Sequence, residues 1–169
     1  MVRVLGIDPG TARLGYAIVD FDMNARSLAL ISCGIIKTTK DDSDAIRLKI
    51  IRNDLEQIIN SFKPEFASVE ELFFFKNLKT IVPVAQARGV ILETCATNSI
   101  EVFEYTPLEM KKIITGDGRA EKSLVSNIVH REFNLQEQIT PDDAVDAVAL
   151  AMCFTRSPVI LSRVKDPMD

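Results

Sequence analysis

The sequence predicts an α/β protein with a five-stranded mixed sheet flanked by helices. Three apolar runs with short connections succeed one another over residues 2–36, which is typical of an antiparallel meander. The later apolar runs alternate with segments of helical periodicity, which favours parallel strands. A chain of 169 residues is long enough for one domain with a full core. We expect that domain over residues 1–157 and a loosely held tail over residues 158–169.

The first three strands are predicted at residues 2–8, Leu14–Phe21 and Leu28–Ile36. Pro9-Gly10-Thr11 supplies the first turn, and residues 22–27 have the polar composition of a second. Strands joined by such short connections pair with their neighbours in the antiparallel sense. These strands therefore form the antiparallel part of the predicted sheet.

The next segment predicts a helix followed by a fourth strand. Acids at residues 42–44 favour a helix N-terminus there, and Pro64 ends the helix. Its apolar positions at helical spacing are Leu48, Ile51, Leu55, Ile58, Ile59 and Phe62. The short apolar run Phe66–Glu70 is then the fourth strand.

A second helix, over residues 78–97, is predicted between the fourth strand and a fifth at Val102–Tyr105. Pro83 and Gly89 are unusual inside a helix, because proline removes a hydrogen bond and glycine is a weak helix former. Pro83 marks either the first turn or a kink. Gly89 indicates close packing against another helix.

Three further helices are predicted in the last third of the chain. The first opens at Thr106-Pro107 and stops at Gly116, and the second covers residues 120–132. The third has Thr140 as its cap and Pro141 at its first helical position, and it runs to about Thr155.

The composition indicates a globular protein of the cytoplasm. Hydrophobic residues make up 47% of the chain and charged residues 26%, and no apolar stretch approaches the roughly 20 residues that span a membrane. The three cysteines, Cys33, Cys95 and Cys153, lack metal-site spacing and predict buried thiols in a reducing compartment. The net charge of −4 weighs weakly against nucleic-acid binding, because carboxylates that bind metal inflate the acidic count.

Four acids lie where the predicted elements would direct them to one site. Asp8 and Glu70 close apolar strands, whereas Asp143 and Asp146 are three residues apart on an apolar helix. Carboxylates in such surroundings suggest an oxygen-ligand site for Mg²⁺ or Mn²⁺. Taken singly, three of them have a simpler interpretation: Asp8 as a turn residue, Glu70 as a solvated strand end, and Asp143 as the partner of Thr140 in a capping box. Asp146, one turn further along and among Ala and Val, has none.

These motifs in this order resemble the RuvC family of Holliday-junction resolvases, in the ribonuclease-H-like superfamily. The resemblance extends over about residues 2–156. The matching segments are Gly6-Ile7-Asp8-Pro9-Gly10-Thr11 with Gly15, Val69-Glu70-Glu71-Leu72-Phe73 with Lys76-Asn77 and Gln86-Ala87-Arg88-Gly89, Ala120-Glu121-Lys122-Ser123, and Asp143-Ala144-Val145-Asp146-Ala147.

The resemblance implies an endodeoxyribonuclease that resolves four-way junctions in recombination and repair by symmetric paired nicks. It implies two Mg²⁺ per subunit, which Mn²⁺ can replace, a homodimer, and cooperation with the RuvA–RuvB branch-migration complex. The implied metal ligands are Asp8, Glu70, Asp143 and Asp146, with Lys122 and Lys111 as catalytic lysines. The expected DNA contacts are Phe73, which stacks on bases, and Lys76, Arg88, Lys112 and Arg119.

Two neighbouring acids are excluded from the predicted ligand set. Glu71 follows Glu70, and strand alternation places it on the opposite face. Asp142 precedes Asp143 and lies about 100° round the helix, whereas residues three apart share a face.

Two other functions are compatible with parts of the sequence. The segment from Gly6 to Gly15 also resembles the first phosphate loop of the ATP-binding superfamily of sugar kinases, chaperones and actin. A second glycine-rich loop, which those proteins need, is missing from this sequence. A related ribonuclease-H-like nuclease that cuts RNA would have the same metal site.

Overall fold

A computed structural model of the chain, which describes residues 1–71 and 78–163, contains one five-stranded sheet. The strands lie in the order β3-β2-β1-β4-β5. Strand β1 pairs with β2, and β2 with β3, in the antiparallel sense, whereas β1–β4 and β4–β5 are parallel. The bounds are Val2–Asp8 (β1), Arg13–Asp22 (β2), Ser27–Lys37 (β3), Phe66–Glu70 (β4) and Glu101–Tyr105 (β5). The predicted mixed sheet is confirmed.

Six helices accompany the sheet in the described ranges. They are Asp44–Phe62 (α1), Leu78–Thr97 (α2), Pro107–Thr115 (α3), Lys122–Glu132 (α4), Asp142–Arg156 (α5) and Pro158–Arg163 (α6). Helix α3 begins with a capping box between Thr106 and Glu109 and ends at Gly116, whose φ of 86° suits glycine. Pro83 lies inside α2, beyond its first turn.

The sheet separates two hydrophobic cores. On one face, buried residues of β1 and β2 pack with α5, α3 and α4, and α5 is buried almost throughout its length. On the other face, Leu5, Ile7 and Ile18 pack with Ile51 and Leu55 of α1 and with residues of α2. Helix α5 is therefore the central helix of the fold, and the cores on both faces fix the sheet against which it packs.

Helix α5 lies so close to the sheet that any residue larger than glycine at two strand positions would force the helix or the strand to move. A Cβ atom on Gly6 would lie 2.0 Å from the carbonyl oxygen of Ala147, and one on Gly15 would lie 2.0 Å from that of Asp143. The buried hydroxyl of Ser68 donates a hydrogen bond of 2.6 Å to the carbonyl of Leu150. These contacts set the position of α5 relative to β1, β2 and β4.

The starts of two helices differ from the sequence-based predictions. Helix α4 begins at Lys122 and not at Ala120, because Glu121 is extended and Ala120 donates its N–H to Asp117 in a turn. Helix α5 begins at Asp142, so Pro141 occupies the cap position rather than the first helical position, and no side chain caps this helix. The predicted cap by Thr140 is wrong.

The chain continues after Ser157 as the short helix α6. Its residue Ile160 is buried in the core on the α5 face. The division into a domain ending at residue 157 and a tail stays a prediction, although ordered packing reaches at least residue 160. Among the described residues, no helix is both long and apolar enough to cross a membrane. The three cysteines are free, with Cys95 and Cys153 buried and Cys33 partly buried.

Candidate active site

Asp8 and Glu70 end adjacent parallel strands at the same edge of the sheet. The register pairs Ile7 with Val69, so the two acids follow at matching positions of β1 and β4. Because side chains alternate along a strand, Glu70 lies on the same face as Ser68, which contacts α5. Glu71 has the opposite parity and an exposed side chain, in agreement with its exclusion from the ligand set.

The carboxyl groups of Asp8 and Glu70 are poorly solvated. Burial is the largest cause that raises the pKa of Asp8 to about 8; the nearby charges of Glu70, Asp146 and Asp143 contribute to this rise, and Lys122 opposes it. Burial also raises the pKa of Glu70 to about 7, with a further contribution from Asp146. Carboxylates crowded together away from water favour protonation unless a cation joins them.

Asp143 and Asp146 approach the same edge from the first two turns of α5. The carbonyl of Asp143 lies directly over Gly15, and Gly15 is the cross-strand partner of Asp8. The structure therefore brings acids from β1, β4 and α5 together. The capping-box interpretation of Asp143 is wrong, since its carboxylate does not cap the helix and instead contacts Arg13.

Asp143 and Asp146 each have a basic partner. Nε of Arg13 lies 3.4 Å from Oδ2 of Asp143, and Nζ of Lys122 donates a hydrogen bond of 3.0 Å to Asp146. The hydrogen bond to Asp146 raises the pKa of Lys122, and the charges of Asp8 and Asp142 act in the same direction. Both cations stay solvated, with 55% of the Arg13 side chain and 69% of the Lys122 side chain exposed.

A small cavity of about 230 Å³ adjoins the carboxylates between α4 and α5. Its lining residues are Lys122, Ser123, Ser126, Asp142, Val145 and Asp146. Asp142 thus lies beside the site, where its charge acts on Lys122, although its side chain is exposed. The Lys122 side chain lines this cavity beside Asp146.

The oxygen-rich donor set fits a hard divalent cation. Three carboxyl groups act electrostatically on Asp8, and such a cluster is relieved most effectively by an ion with oxygen ligands. As it stands, no group of three His, Cys, Asp or Glu side chains in the described part of the chain is arranged as a finished metal site. Two of the four carboxylates contact a basic side chain, Asp143 that of Arg13 and Asp146 that of Lys122.

The other predicted site residues are less closely connected to the carboxylates. Lys111 lies on α3 and makes no ion pair with a described residue, and Lys112 and Arg119 are exposed. Arg88 on α2 is ion-paired with Glu104 of β5, and its Nε is buried without a hydrogen-bond partner in the described structure. These four roles stay predictions. Phe73 and Lys76 lie outside the described residues.

Two residues near the site were not identified from the sequence. Arg13 begins β2 and contacts Asp143. In the sequence, only its position two residues before Gly15 could have indicated that it lies near the site. His130 on α4 bonds through Nδ1 to the carbonyl of Ser126 (2.7 Å) and accepts at Nε2 from the N–H of Ile139 (3.0 Å). It thereby ties α4 to the segment that leads into α5. No sequence pattern marks that contact.

Known sequences match nearly the whole chain. The sequence model of the family described as crossover junction endodeoxyribonuclease RuvC matches residues 4–154. The chain is 47% identical to the protein of that name from Fusobacterium nucleatum over 154 residues, which is 91% of this chain and 79% of the relative. The corresponding protein of Roseiflexus is 41% identical over 164 residues, covering 97% and 96% of the two chains.

Solved structures agree with these matches. The Thermus thermophilus RuvC structure superposes with a TM-score of 0.84 at 28% identity and covers 92% of this chain and 94% of that one. The same protein in complex with a Holliday junction substrate gives 0.84 at 25% identity, with 97% of each chain covered. The fowlpox virus resolvase, at 15% identity and a TM-score of 0.61, shares the fold. The predicted ribonuclease-H-like fold is confirmed.

Proposed function

This chain belongs to the RuvC family of crossover junction endodeoxyribonucleases, and on that premise we propose that it resolves four-way DNA junctions in recombination and repair. The reaction is hydrolysis of one phosphodiester in each of two opposed strands, in a symmetric pair of nicks. The observation that carries the proposal is the convergence of Asp8, Glu70, Asp143 and Asp146 at one edge of the sheet. The match to the family model, over residues 4–154, includes all four acids.

The four acids are the proposed ligands of two Mg²⁺ ions per subunit, which Mn²⁺ can replace. Such ions supply an activated water and neutralise charge on the attacked phosphate and the leaving oxygen. Asp8 is central to the set, since the other three carboxyl groups all act on it. The deprotonated forms of Asp8 and Glu70 are the binding forms, so their raised pKa values set the pH at which the site assembles.

Lys122 is the proposed stabiliser of charge on the scissile phosphate. Its side chain is 69% exposed and reaches Asp146 from the first residue of α4, beside the open cavity. An ammonium at this place can turn from Asp146 towards a phosphate without any movement of the backbone. A positioned cation is worth most where negative charge develops during the reaction. The expected products carry a 5′-phosphate and a 3′-hydroxyl.

The remaining predicted DNA contacts form the outer part of the proposal. Lys111 supports the same phosphate or orients the attacking water, and Lys112, Arg119, Arg88 and Lys76 contact the backbone of the arms. Arg88 has to exchange its Glu104 partner for a phosphate in order to do so. Phe73 is proposed to stack on bases at the junction centre.

A homodimer is proposed because a four-way junction presents two equivalent strands to be cut. A Cβ atom on Gly89 would meet nothing within 4 Å, so packing within the described chain does not require glycine there. An open groove of about 450 Å³ between α1 and α2 runs past it, lined by Leu48, Lys49, Arg52, Gln86, Gly89, Val90 and Glu93. A second copy of α2 is the proposed occupant. Action in the cytoplasm with the RuvA–RuvB complex is proposed from the family alone.

The two alternative functions are less well supported. ATP binding by the Gly6–Gly15 loop is not favoured, because the named relatives are junction endonucleases over nearly the full chain. In this structure both glycines instead lie against α5. Cleavage of RNA by the same carboxylates is kept as an outcome of the test, since the chemistry would be identical.

The decisive experiment compares three nucleic acids with and without Mg²⁺: a synthetic four-way junction, a linear duplex and an RNA–DNA hybrid. We expect Mg²⁺-dependent paired nicks in the junction alone, with 5′-phosphate ends. The Asp8→Asn variant should bind the junction and fail to cut it. Preferential cutting of the hybrid would replace the proposal with an RNA nuclease. Sedimentation of the free protein as a monomer at micromolar concentration would contradict the dimer.

A further inference from the structure

Two basic residues, Arg13 and Lys37, stand side by side at the rim of the site. Arg13 is the first residue of β2, and its cross-strand partner on β3 is Lys37. Directly paired residues project from the same face of a sheet and have Cβ atoms about 5 Å apart. Two like charges in that relation repel each other, and a bound anion offsets that repulsion.

The register shows that this pair faces the carboxylates. Arg13 has the parity of Gly15, and Gly15 is paired with Asp8 and packs under the carbonyl of Asp143. Arg13 and Lys37 therefore project from the α5 face of the sheet, as Asp8 does. They lie on the β2–β3 side of the site, whereas Lys122 approaches from α4.

The described structure leaves the pair only partly neutralised. Arg13 touches Asp143 through one long contact of 3.4 Å and is 55% exposed, which is the geometry of a weak surface pair. Lys37 is exposed and has no ion-pair partner among the described residues. A guanidinium beside an ammonium, both open to solvent, matches the charge of a phosphodiester backbone.

We propose that Arg13 and Lys37 form a phosphate-binding pair for the DNA strand that enters the site, and that Arg13 exchanges Asp143 for that phosphate when the carboxylates bind metal. The proposal rests on the function proposed above and adds two residues to it. In the free protein Arg13 contacts Asp143 and offsets part of its charge. In the loaded protein the same guanidinium positions the strand, so that its scissile phosphate lies over the carboxylates.

The exchange predicts different effects for the two residues. Arg13→Gln should weaken junction binding about 10-fold at 0.1 M salt and reduce the slope of log affinity against log salt by about 0.9, because one phosphate contact is lost. In the same variant, half of the Mg²⁺-induced rise in Tm should occur at a roughly two- to fivefold lower Mg²⁺ concentration, because Arg13 no longer competes with Mg²⁺ for Asp143. This factor corresponds to the loss of about one exposed ion pair. Lys37→Gln should change junction binding alone, since it does not contact Asp143.

The measurements are fluorescence anisotropy in Mg²⁺ with a labelled junction that resists hydrolysis, over a series of salt concentrations, and thermal unfolding during an Mg²⁺ titration. Arg131→Gln is the matched control, because Arg131 is exposed near the far end of α4 and should change neither quantity. Arg13→Lys retains the charge and should recover most of the junction affinity. Circular dichroism verifies that each variant is folded.

Each outcome decides the proposal. Wild-type affinity and salt slope in Arg13→Gln would overturn it. Weaker junction binding with an unchanged Mg²⁺ requirement would overturn the exchange with Asp143, and an altered Mg²⁺ requirement in Lys37→Gln would do the same. If the unmodified protein bound the junction but never cut it, the proposed function would fail while the binding result for Arg13 would stand.

Discussion

The two acids on the strands and the two acids on α5 belong to one site but differ in how their charge is balanced. Asp8 and Glu70 have no ion-pair partner among the described residues, and their pKa values rise to about 8 and about 7. Asp143 and Asp146 each contact a solvated cation from a different element, Arg13 or Lys122. Within the described chain, the strand acids therefore lack the direct contact with a cation that each of these helix acids has.

This difference assigns separate tasks to the two pairs. In the proposed metal site a cation that joins the strand acids removes the penalty of crowding charge in a buried place, so we expect those acids to supply much of the free energy of metal binding. In the proposed metal site the helix acids exchange their basic partners for metal, and the released cations are then available to the phosphates of DNA. The predictions below test this division, from the largest expected effect to the smallest.

Replacement of one acid from each pair should separate catalysis from stability. We expect Asp8→Asn and Asp146→Asn each to lower the rate of junction cleavage by about 10³-fold or more, since both remove a proposed ligand of the reaction centre. In metal-free protein at pH 8 only Asp8→Asn should raise Tm, because it removes the crowded charge. Gel-based cleavage rates and thermal unfolding in EDTA measure the two effects. A rise in Tm for both variants would contradict the difference between the pairs.

Gly15→Ala should displace the helix acids and leave the strand acids in place. The added Cβ would lie 2.0 Å from the Asp143 carbonyl, so the first turn of α5 has to move away from β2. We expect a loss of about 1–3 kcal/mol of unfolding free energy, as for an overpacked core, and a large loss of cleavage. Gly34→Ala is the matched control on β3, since its Cβ meets only the Tyr16 ring at 3.1 Å. Equal effects of both variants on cleavage would argue against a role of the α5 contact.

The stability of the metal-free protein should fall as pH rises from about 4 to about 8. The raised pKa values mean that folded Asp8 and Glu70 hold protons which the unfolded chain has lost, so rising pH favours unfolding across this window. We expect a decrease in Tm of about 3 °C or more between pH 6 and pH 8, in a chain where 1 kcal/mol corresponds to about 2–4 °C. Differential scanning calorimetry in EDTA measures it. Mg²⁺ should raise Tm more at pH 8 than at pH 6, and Asp8→Asn should flatten the trend without metal.

The sequence predicted the positions of the strand acids more completely than it predicted the residues that surround the helix acids. Apolar runs ending at Asp8 and Glu70 were sufficient to place both at strand ends, because strand order and alternation then determine the edge and the face. The start of α5 was misplaced by one residue, since proline preferences do not distinguish a cap from a first helical position.

The partners of the helix acids were beyond the reach of local patterns. Asp143 pairs with Arg13 across 130 positions of sequence, and only the packing of α5 over Gly15 brings them together. The pairing of Lys122 with Asp146 likewise depends on how α4 lies against α5. Periodicity reports which face of an element is buried but says nothing about which charged residue of another element will meet it.

The smallest effect is expected at His130, which supports the helix acids from a distance. Its ring donates to the Ser126 carbonyl at Nδ1 and accepts from the Ile139 N–H at Nε2, an arrangement that only the neutral ring with its proton on Nδ1 can make. His130→Ala should cost about 1–2 kcal/mol of unfolding free energy and lower cleavage by a few-fold, because the segment before α5 loses its tie to α4.

Hydrogen exchange distinguishes this local effect from a general loss of stability. The amide of Ile139 should exchange faster in His130→Ala by more than the change in global unfolding explains, since its acceptor is gone. Ser126→Ala is the control, because it removes only the longer contact of 3.4 Å between the hydroxyl and Nδ1 and retains the carbonyl at 2.7 Å and the bond to Ile139. The fall in Tm with rising pH should persist in both variants, as it arises from the strand acids. If His130→Ala abolished the fall in Tm with rising pH, His130 would support the strand acids as well as the helix acids. The distinction between the two pairs of acids would then be wrong.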